Sequence, residues 1–194
     1  MLLNIYDELD GVTVCGVDEA GRGPLAGPVY AAAVILPKEC RIDGLNDSKK
    51  LSGKKRELLY DIICESALAY GVAFATVDEI DSHNILGATY LAMQRAMDAL
   101  AVPFDLALID GNKCSGIHRP CRTVVGGDGK YTCIAAASIL AKVTRDRYMT
   151  HISEQYPQYH FNIHKGYGTK KHYEYIREYG PSPIHRKSFL KKLH

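Results

Sequence analysis

Four acidic residues stand where they could share one task. Asp18 and Glu19 are adjacent, after the apolar run "VTVCGV" and just before the glycine-rich stretch "GRGPLAGP". Asp110 closes the run "FDLALID", and Asp128 lies in "GGDGK", directly after "CRTVV". Carboxylates brought together repel, and each raises the others' affinity for protons. Hard divalent cations relieve that repulsion, and an oxygen-only donor set suits Mg²⁺ or Mn²⁺. Two such ions bridging a phosphate can activate a water and stabilise a leaving oxygen. Taken singly, each acid is equally well an ordinary turn residue. The adjacency of Asp18 and Glu19 says more. Successive strand residues face opposite sides, so a shared site calls for a bend between them, where the glycine turn starts.

Rival patterns fit less well. "GRGPLA" matches G-x-G-x-x-A, with Asp43 downstream. That dinucleotide pattern needs a helix after the glycines, and Pro24 and Pro28 lead into a β-like run instead. "GDGK" is no phosphate loop, since Val124 stands where the first glycine belongs and Tyr131 follows the lysine. Cys114, His118, Cys121 and Cys133 lack the paired C-x2-C spacing of zinc knuckles. His160 and His164 sit among Asn162, Gly166 and Gly168, a helix-poor setting, and read as surface histidines.

The elements that must position the acids follow from patterning. Residues 12–18 and 29–36 read as strands joined by the glycine turn, an antiparallel hairpin. Residues 51–69 carry apolar residues at helical spacing with Ser52 as N-cap. A strand is predicted over 71–77, a helix over 84–100, strands over 104–110 and 121–125, and a long helix over 133–155. The tail from 157 holds one clear helix, "KKHYEYIREYG". Early strands followed by alternating helices and strands predict a mixed α/β sheet flanked by helices, with a small helical C-terminal part. On the long helix, Ser138, Lys142 and Arg145 share one face. With Lys49 of "NDSKK" they are candidate phosphate contacts, or else a solvated stripe. Ala135, Ile139 and Val143 on another face read as core.

The chain of 194 residues suits one domain with a sizeable core. No apolar run approaches a membrane span, and "MLLNIYDELDG" turns acidic too early for a signal peptide. Six scattered cysteines read as reduced thiols of a cytosolic protein. The net charge of +2 hides an asymmetry. Residues 1–141 hold 13 Lys and Arg against 18 Asp and Glu, whereas residues 142–194 hold 11 against 4. Seven of the thirteen tyrosines fall in that basic part. A basic, tyrosine-rich segment on an acidic body suits a polyanion held beside bound metal.

These segments resemble a known family. "GVDEAGRGPLAGPV" is similar to the signature of ribonuclease HII, a type 2 ribonuclease H. "LNDSKKLS", "LIDG", "VVGGDGKYTCIAAASILAKVTRDRYM", "HKGYGTKKH" and "SPIHRKSF" resemble further segments of that family in the same order. The turn reads G-R-G, the form of the HII branch rather than HIII. The resemblance implies a ribonuclease H-like catalytic domain over 1–156 and a basic helical substrate-binding segment over 157–194 packed on it. It implies that Asp18, Glu19, Asp110 and Asp128 are catalytic acids holding two Mn²⁺ or Mg²⁺ ions per site. The implied substrates are RNA–DNA hybrids and duplex DNA containing ribonucleotides. The implied reaction is hydrolysis 5′ of the ribonucleotide, leaving a 3′-hydroxyl and a 5′-phosphate. Gly21, Arg22 and Gly23 would meet the 2′-hydroxyl, and Tyr167 would pack on the next sugar. Such a protein is expected to be a cytoplasmic monomer with no membrane partner. A catalytically idle nucleic-acid-binding module that uses only the basic tail is the alternative.

Overall fold

The computed structural model describes residues 2–9 and 11–191. Runs rich in Val, Ile and Ala form five strands: β1 (Val14–Ala20), β2 (Val29–Ile35), β3 (Ala69–Ala75), β4 (Leu106–Asp110) and β5 (Cys121–Val124). They make one sheet in the order β3-β2-β1-β4-β5. β1 pairs antiparallel with β2, and β2 with β3. β1–β4 and β4–β5 are parallel. Helices α1 (Gly53–Ser66) and α3 (Thr132–Gln155) cover one face, and α2 (Val77–Asp98) covers the other. This is the mixed sheet flanked by helices that the patterning predicts.

Strand β1 divides the two cores residue by residue. Val14 packs on the α3 face, and Cys15 and Val17 on the α2 face. Gly16 is needed because a Cβ there would stand 2.3 Å from the carbonyl carbon of Cys133. Its absence lets the first turn of α3 lie directly against the centre of the sheet.

Element boundaries differ from expectation where capping was overlooked. Helix α2 begins at Val77, not 84, because Thr76 and Glu79 form a reciprocal capping box that ends β3 two residues early. Asn84 then interrupts the helix with φ 59°. Its side chain accepts from the amides of Leu86 and Gly87 and caps the second segment, which is the part the sequence reveals. Ser52 caps α1 as predicted, accepting from Lys55 N at 3.2 Å. Strand β1 runs on through Ala20, so no bend separates Asp18 from Glu19.

In the C-terminal segment the single helix expected there is α5 (Lys170–Tyr179), and the structure adds the short helices α4 (Phe161–His164) and α6 (Lys187–Leu190). It folds back over the turn of residues 21–28. Leu25 N donates to Gly166 O, Gly27 N to Ile184 O and Arg186 N to Leu25 O, each at 2.8 Å. Arg186 is wholly buried. Its Nε donates to Gly27 O, its Nη1 to Arg22 O and its Nη2 to Gly21 O, at 2.9, 2.9 and 2.6 Å. His164, expected on the surface, is half-buried and stacks on His172 with ring centroids 4.2 Å apart.

Arg186→Met would strand three carbonyls in the interior. It is expected to lower stability by about 3 kcal/mol or more, read as a fall in urea midpoint at unchanged slope. Arg186→Lys should restore little, because an ammonium cannot serve three divergent acceptors as the planar fork does.

Candidate active site

The carboxylates gather at the ends of β1 and β4, where these parallel neighbours lie side by side, with Val17 opposite Ile109. One oxygen each from Asp18, Asp110 and Asp128 falls within 4.8 Å of the other two. Asp128 arrives from a 3-10 turn, Gly127–Gly129, fastened to the site by a 2.7 Å hydrogen bond from Gly127 N to Asp110 Oδ1. Asp18 is 4% exposed and Asp128 6%.

Electrostatics show what this set lacks. Burial pushes the Asp18 carboxyl well above the usual carboxylate range, and the charges of Glu19 and Asp110 push it further. The Ser138 hydroxyl and a 2.7 Å hydrogen bond from Glu19 N oppose that rise. Burial also raises Asp128, helped by Asp110 and Asp47 and opposed by Lys49. Asp47 went unremarked in the sequence, yet it borders Asp128 from the turn that carries Lys49. Burial works against the charge of Lys49, but Asp128, Asp18, Asp47 and Asp110 prevail and raise its proton affinity.

Glu19 serves the other face of β1. It lines a cleft of about 240 Å³ with Asp110, Arg22, Tyr90, Asn112 and Lys113. Its carboxyl is raised by burial, which Arg22 opposes (Nη1 to Oε1, 3.5 Å) and Asp110 reinforces. The strand therefore needs no bend: the two acids flank its end, and Asp110 acts on both. Hard oxygen donors, buried and mutually repelling, form a set that a divalent cation would neutralise.

The glycine turn begins one residue beyond β1. Gly21 has φ +98°, and a Cβ there would lie 2.1 Å from Arg145 Nε, so only glycine fits. The carbonyls of Gly21 and Arg22 point inward to Arg186. In a planar trans peptide the N–H points opposite to the C=O, so the amides of Arg22 and Gly23 are aimed outward. Among the described residues, no hydrogen bond engages those two amides or the Gly23 carbonyl. Gly23 faces open space, its nearest neighbour being Tyr167 Cε1 at 3.9 Å from where a Cβ would be. Tyr167 is 40% exposed, with Lys142 Nζ 5.7 Å and the Arg145 guanidinium 5.8 Å from its ring centroid.

The helical stripe is not a solvated face: Ser138 and Arg145 are buried, and Lys142 is half-buried beside Tyr167. Arg145 is wholly buried. Its Nε, Nη2 and Nη1 donate to the carbonyls of Pro28, Ala26 and Lys165 at 3.1, 3.1 and 3.0 Å. Ser138 is buried against Ser48, with oxygens 2.9 Å apart. Lys142 is paired with Asp146 at 2.7 Å. Lys49 stays exposed, beside the acids.

A family model described as Ribonuclease HII matches residues 15–192. The chain is 61% identical to Ribonuclease HII of Dechloromonas aromatica (strain RCB) over 176 residues, 91% of this chain and 90% of the relative. It is 58% identical to Ribonuclease HII of Burkholderia cenocepacia (strain HI2424), over 91% of this chain and 82% of the relative. The crystal structure of ribonuclease H2 from Pyrococcus horikoshii OT3 superposes with a TM-score of 0.74 at 27% identity, covering 91% of this chain and 93% of that one. Similarity of this strength extends through both ends of the sheet and the C-terminal segment, so the clustered acids and the turn beside them are read within one family. The chain belongs to ribonuclease HII, a family of metal-dependent endoribonucleases.

Proposed function

We propose that the protein hydrolyses the phosphodiester on the 5′ side of a ribonucleotide, in RNA–DNA hybrids or in duplex DNA holding single ribonucleotides, leaving a 3′-hydroxyl and a 5′-phosphate. The observation that carries this reading is the outward pair of amides at Arg22 and Gly23, with the Gly23 carbonyl, next to the acid cluster and facing Tyr167. A 2′-hydroxyl both donates and accepts, and it is what separates RNA from DNA at one site. Two amide donors and a carbonyl acceptor suit it. Because Arg186 holds the carbonyls of Gly21 and Arg22, the reading of the sugar falls to those three groups.

Asp18, Asp110 and Asp128 would hold one divalent cation, and Glu19 with Asp110 a second, as Mn²⁺ or Mg²⁺. Bound there, such ions supply Lewis-acid polarisation of the phosphate and a more acidic attacking water. The chain's own groups do the rest. The turn fixes the ribose, the Tyr167 ring covers the neighbouring sugar, and Lys49 offsets negative charge where the backbone passes. The basic residues from 142 onward that reach the surface meet the duplex. The enzyme works as a monomer in the cytoplasm. Among the described residues no helix is long and apolar enough to cross a membrane. Incubation with a labelled duplex containing one ribonucleotide, with Mn²⁺, with Mg²⁺ and with a chelator, tests the reading. Binding without cleavage in either metal would instead support an idle binding module.

Asp110→Asn is expected to slow cleavage on the order of 10³-fold, the scale of metal-held charge in a transition state, while duplex binding persists. The same change should raise the metal-free melting temperature. Carboxyls whose proton affinity is raised on folding contribute stability at low pH and lose it as pH rises through their folded values. The gain from Asp110→Asn should therefore be larger at about pH 8 than at about pH 5.

For the sugar, a 2′-fluoro or 2′-O-methyl group cannot donate. Cleavage should fall roughly ten- to a hundredfold, the cost of an unpaired polar group felt in the transition state. Gly23→Ala has room for its methyl and should melt like the wild type. It should nonetheless lose at least about tenfold in kcat/KM on a ribonucleotide duplex, by narrowing the slot against Tyr167. Equal cutting of all-DNA and ribonucleotide duplexes by the wild type would refute the sugar-reading role.

A further inference from the structure

Behind Tyr167 lies a buried histidine pair that the catalytic reading leaves unused. His172 of α5 and His185 of the following loop are 0% and 2% exposed. Their Nε2 atoms lie 3.0 Å apart. The backbone fixes which nitrogen carries each proton. Ser182 N–H donates to His185 Nδ1 at 2.8 Å, so that nitrogen is bare and the proton sits on Nε2. His185 Nε2–H then donates to His172 Nε2, which leaves the His172 proton on Nδ1. His172 Nδ1–H donates to the Tyr167 carbonyl at 2.9 Å. The relay thus runs in one sense, from the loop amide to the backbone of Tyr167.

The relay works only with neutral rings. A proton added to His185 Nδ1 would displace the bond from the Ser182 amide and turn to Ser182 Oγ at 2.8 Å, and one added to His172 would face His185 Nε2–H. Burial keeps both rings uncharged, holding His172 and His185 down to about 4. His164 completes the support. Its Nε2 donates to Tyr159 O at 2.7 Å, its Nδ1 accepts from Gly166 N at 3.2 Å, and its ring stacks on His172. The loop needs such support, because Lys165 and Gly166 both hold positive φ, 51° and 83°. A non-glycine residue in that region is under strain and keeps its conformation only where its neighbours impose it.

We propose that His172, with its tautomer set by His185, is a positioning residue for the reaction: it fixes the backbone of Tyr167 so that the ring stands at the distance from Gly23 that admits a sugar. This rests on the proposed role of Tyr167 and adds the element that holds it there. His172 reaches neither substrate nor acids. Its effect passes through one carbonyl, which also accepts from Thr169 N at 2.8 Å.

Two amide substitutions of different reach test it. The Nδ2 of His172→Asn replaces Nδ1 and keeps the bond to Tyr167 O, whereas His172→Gln reaches toward His185 and loses it. Each is assayed for kcat and KM on a duplex with one ribonucleotide, alone and combined with Tyr167→Ala, with melting temperature as the folding control. Asn should stay within about twofold of the wild type, and Gln should lose about tenfold in kcat/KM. In the Tyr167→Ala background the Gln loss should vanish, because the residue it acts through is gone. Equal activity of Asn and Gln, or a Gln loss that persists undiminished beside Tyr167→Ala, would overturn the positioning role. If Tyr167→Ala alone costs nothing, the failure lies with the reading of Tyr167, which the single variant reveals independently of the histidines.

Discussion

Two buried guanidiniums, Arg145 and Arg186, organise the functional end of this molecule. Their six hydrogen bonds all go to backbone carbonyls: those of Gly21, Arg22, Ala26, Gly27 and Pro28 in the glycine turn, and Lys165 in the loop of Tyr167. Taking a cation out of water is costly unless its donors are satisfied, and here carbonyl dipoles rather than carboxylates satisfy them. The effect on Arg186 is visible. Burial, with the nearby charge of Arg145, lowers its proton affinity to about 9, yet it stays a cation at neutral pH. The arrangement ties strand, long helix and tail to one turn. Peptide planarity does the remaining work: carbonyls drawn inward leave amides facing outward.

On the other side of the turn the charge is reversed. Buried acids that repel one another lower the stability of the metal-free fold, which is acceptable only where a bound cation or a proton offsets it. Lys49 takes part of that role, held by the charges of Asp128, Asp18, Asp47 and Asp110. A positive floor of guanidiniums and a negative rim of carboxylates thus bracket the turn proposed to read the sugar. Because the guanidiniums are occupied by carbonyls, they do not neutralise the rim and leave it free for metal.

What the sequence disclosed and what it hid divide along physical lines. Alternation along β1 is legible, and it assigns Asp18 and Glu19 to opposite faces correctly. The inferred bend was unnecessary because the site wraps around the end of the strand, which no local pattern reveals. Helical spacing likewise puts Ser138, Lys142 and Arg145 on one face but is silent on whether that face meets water or protein. Here Ser138 meets Ser48, Lys142 lies beside Tyr167, and Arg145 is buried against the glycine turn. The first segment of α2 was missed although T-x-x-E stands at 76–79, because β-like residues precede it. His172 and His185 are thirteen residues apart, and only the folded tail brings them together. Asp47 escaped because its relation to Asp128 is purely spatial.

The compactness of the functional segment explains why chemistry and substrate choice can be tightly linked. Residues 18–23 contain acids for both faces of the strand and, three residues after Glu19, the first of the two outward amides. No flexible linker intervenes, since β1 stays paired with β2 up to Ala20 and Arg186 clamps the turn itself. On the proposed reading, a nucleotide that satisfies the Arg22 and Gly23 amides would deliver its own 5′-phosphate to the carboxylates, with little freedom left to lose on the way to the transition state. A deoxyribose would give the amides no partner, and the register that would bring its phosphate to the acids would not be enforced. On this reading, selectivity does not depend on a separate gate, because the same short stretch of backbone binds the sugar and aims the bond.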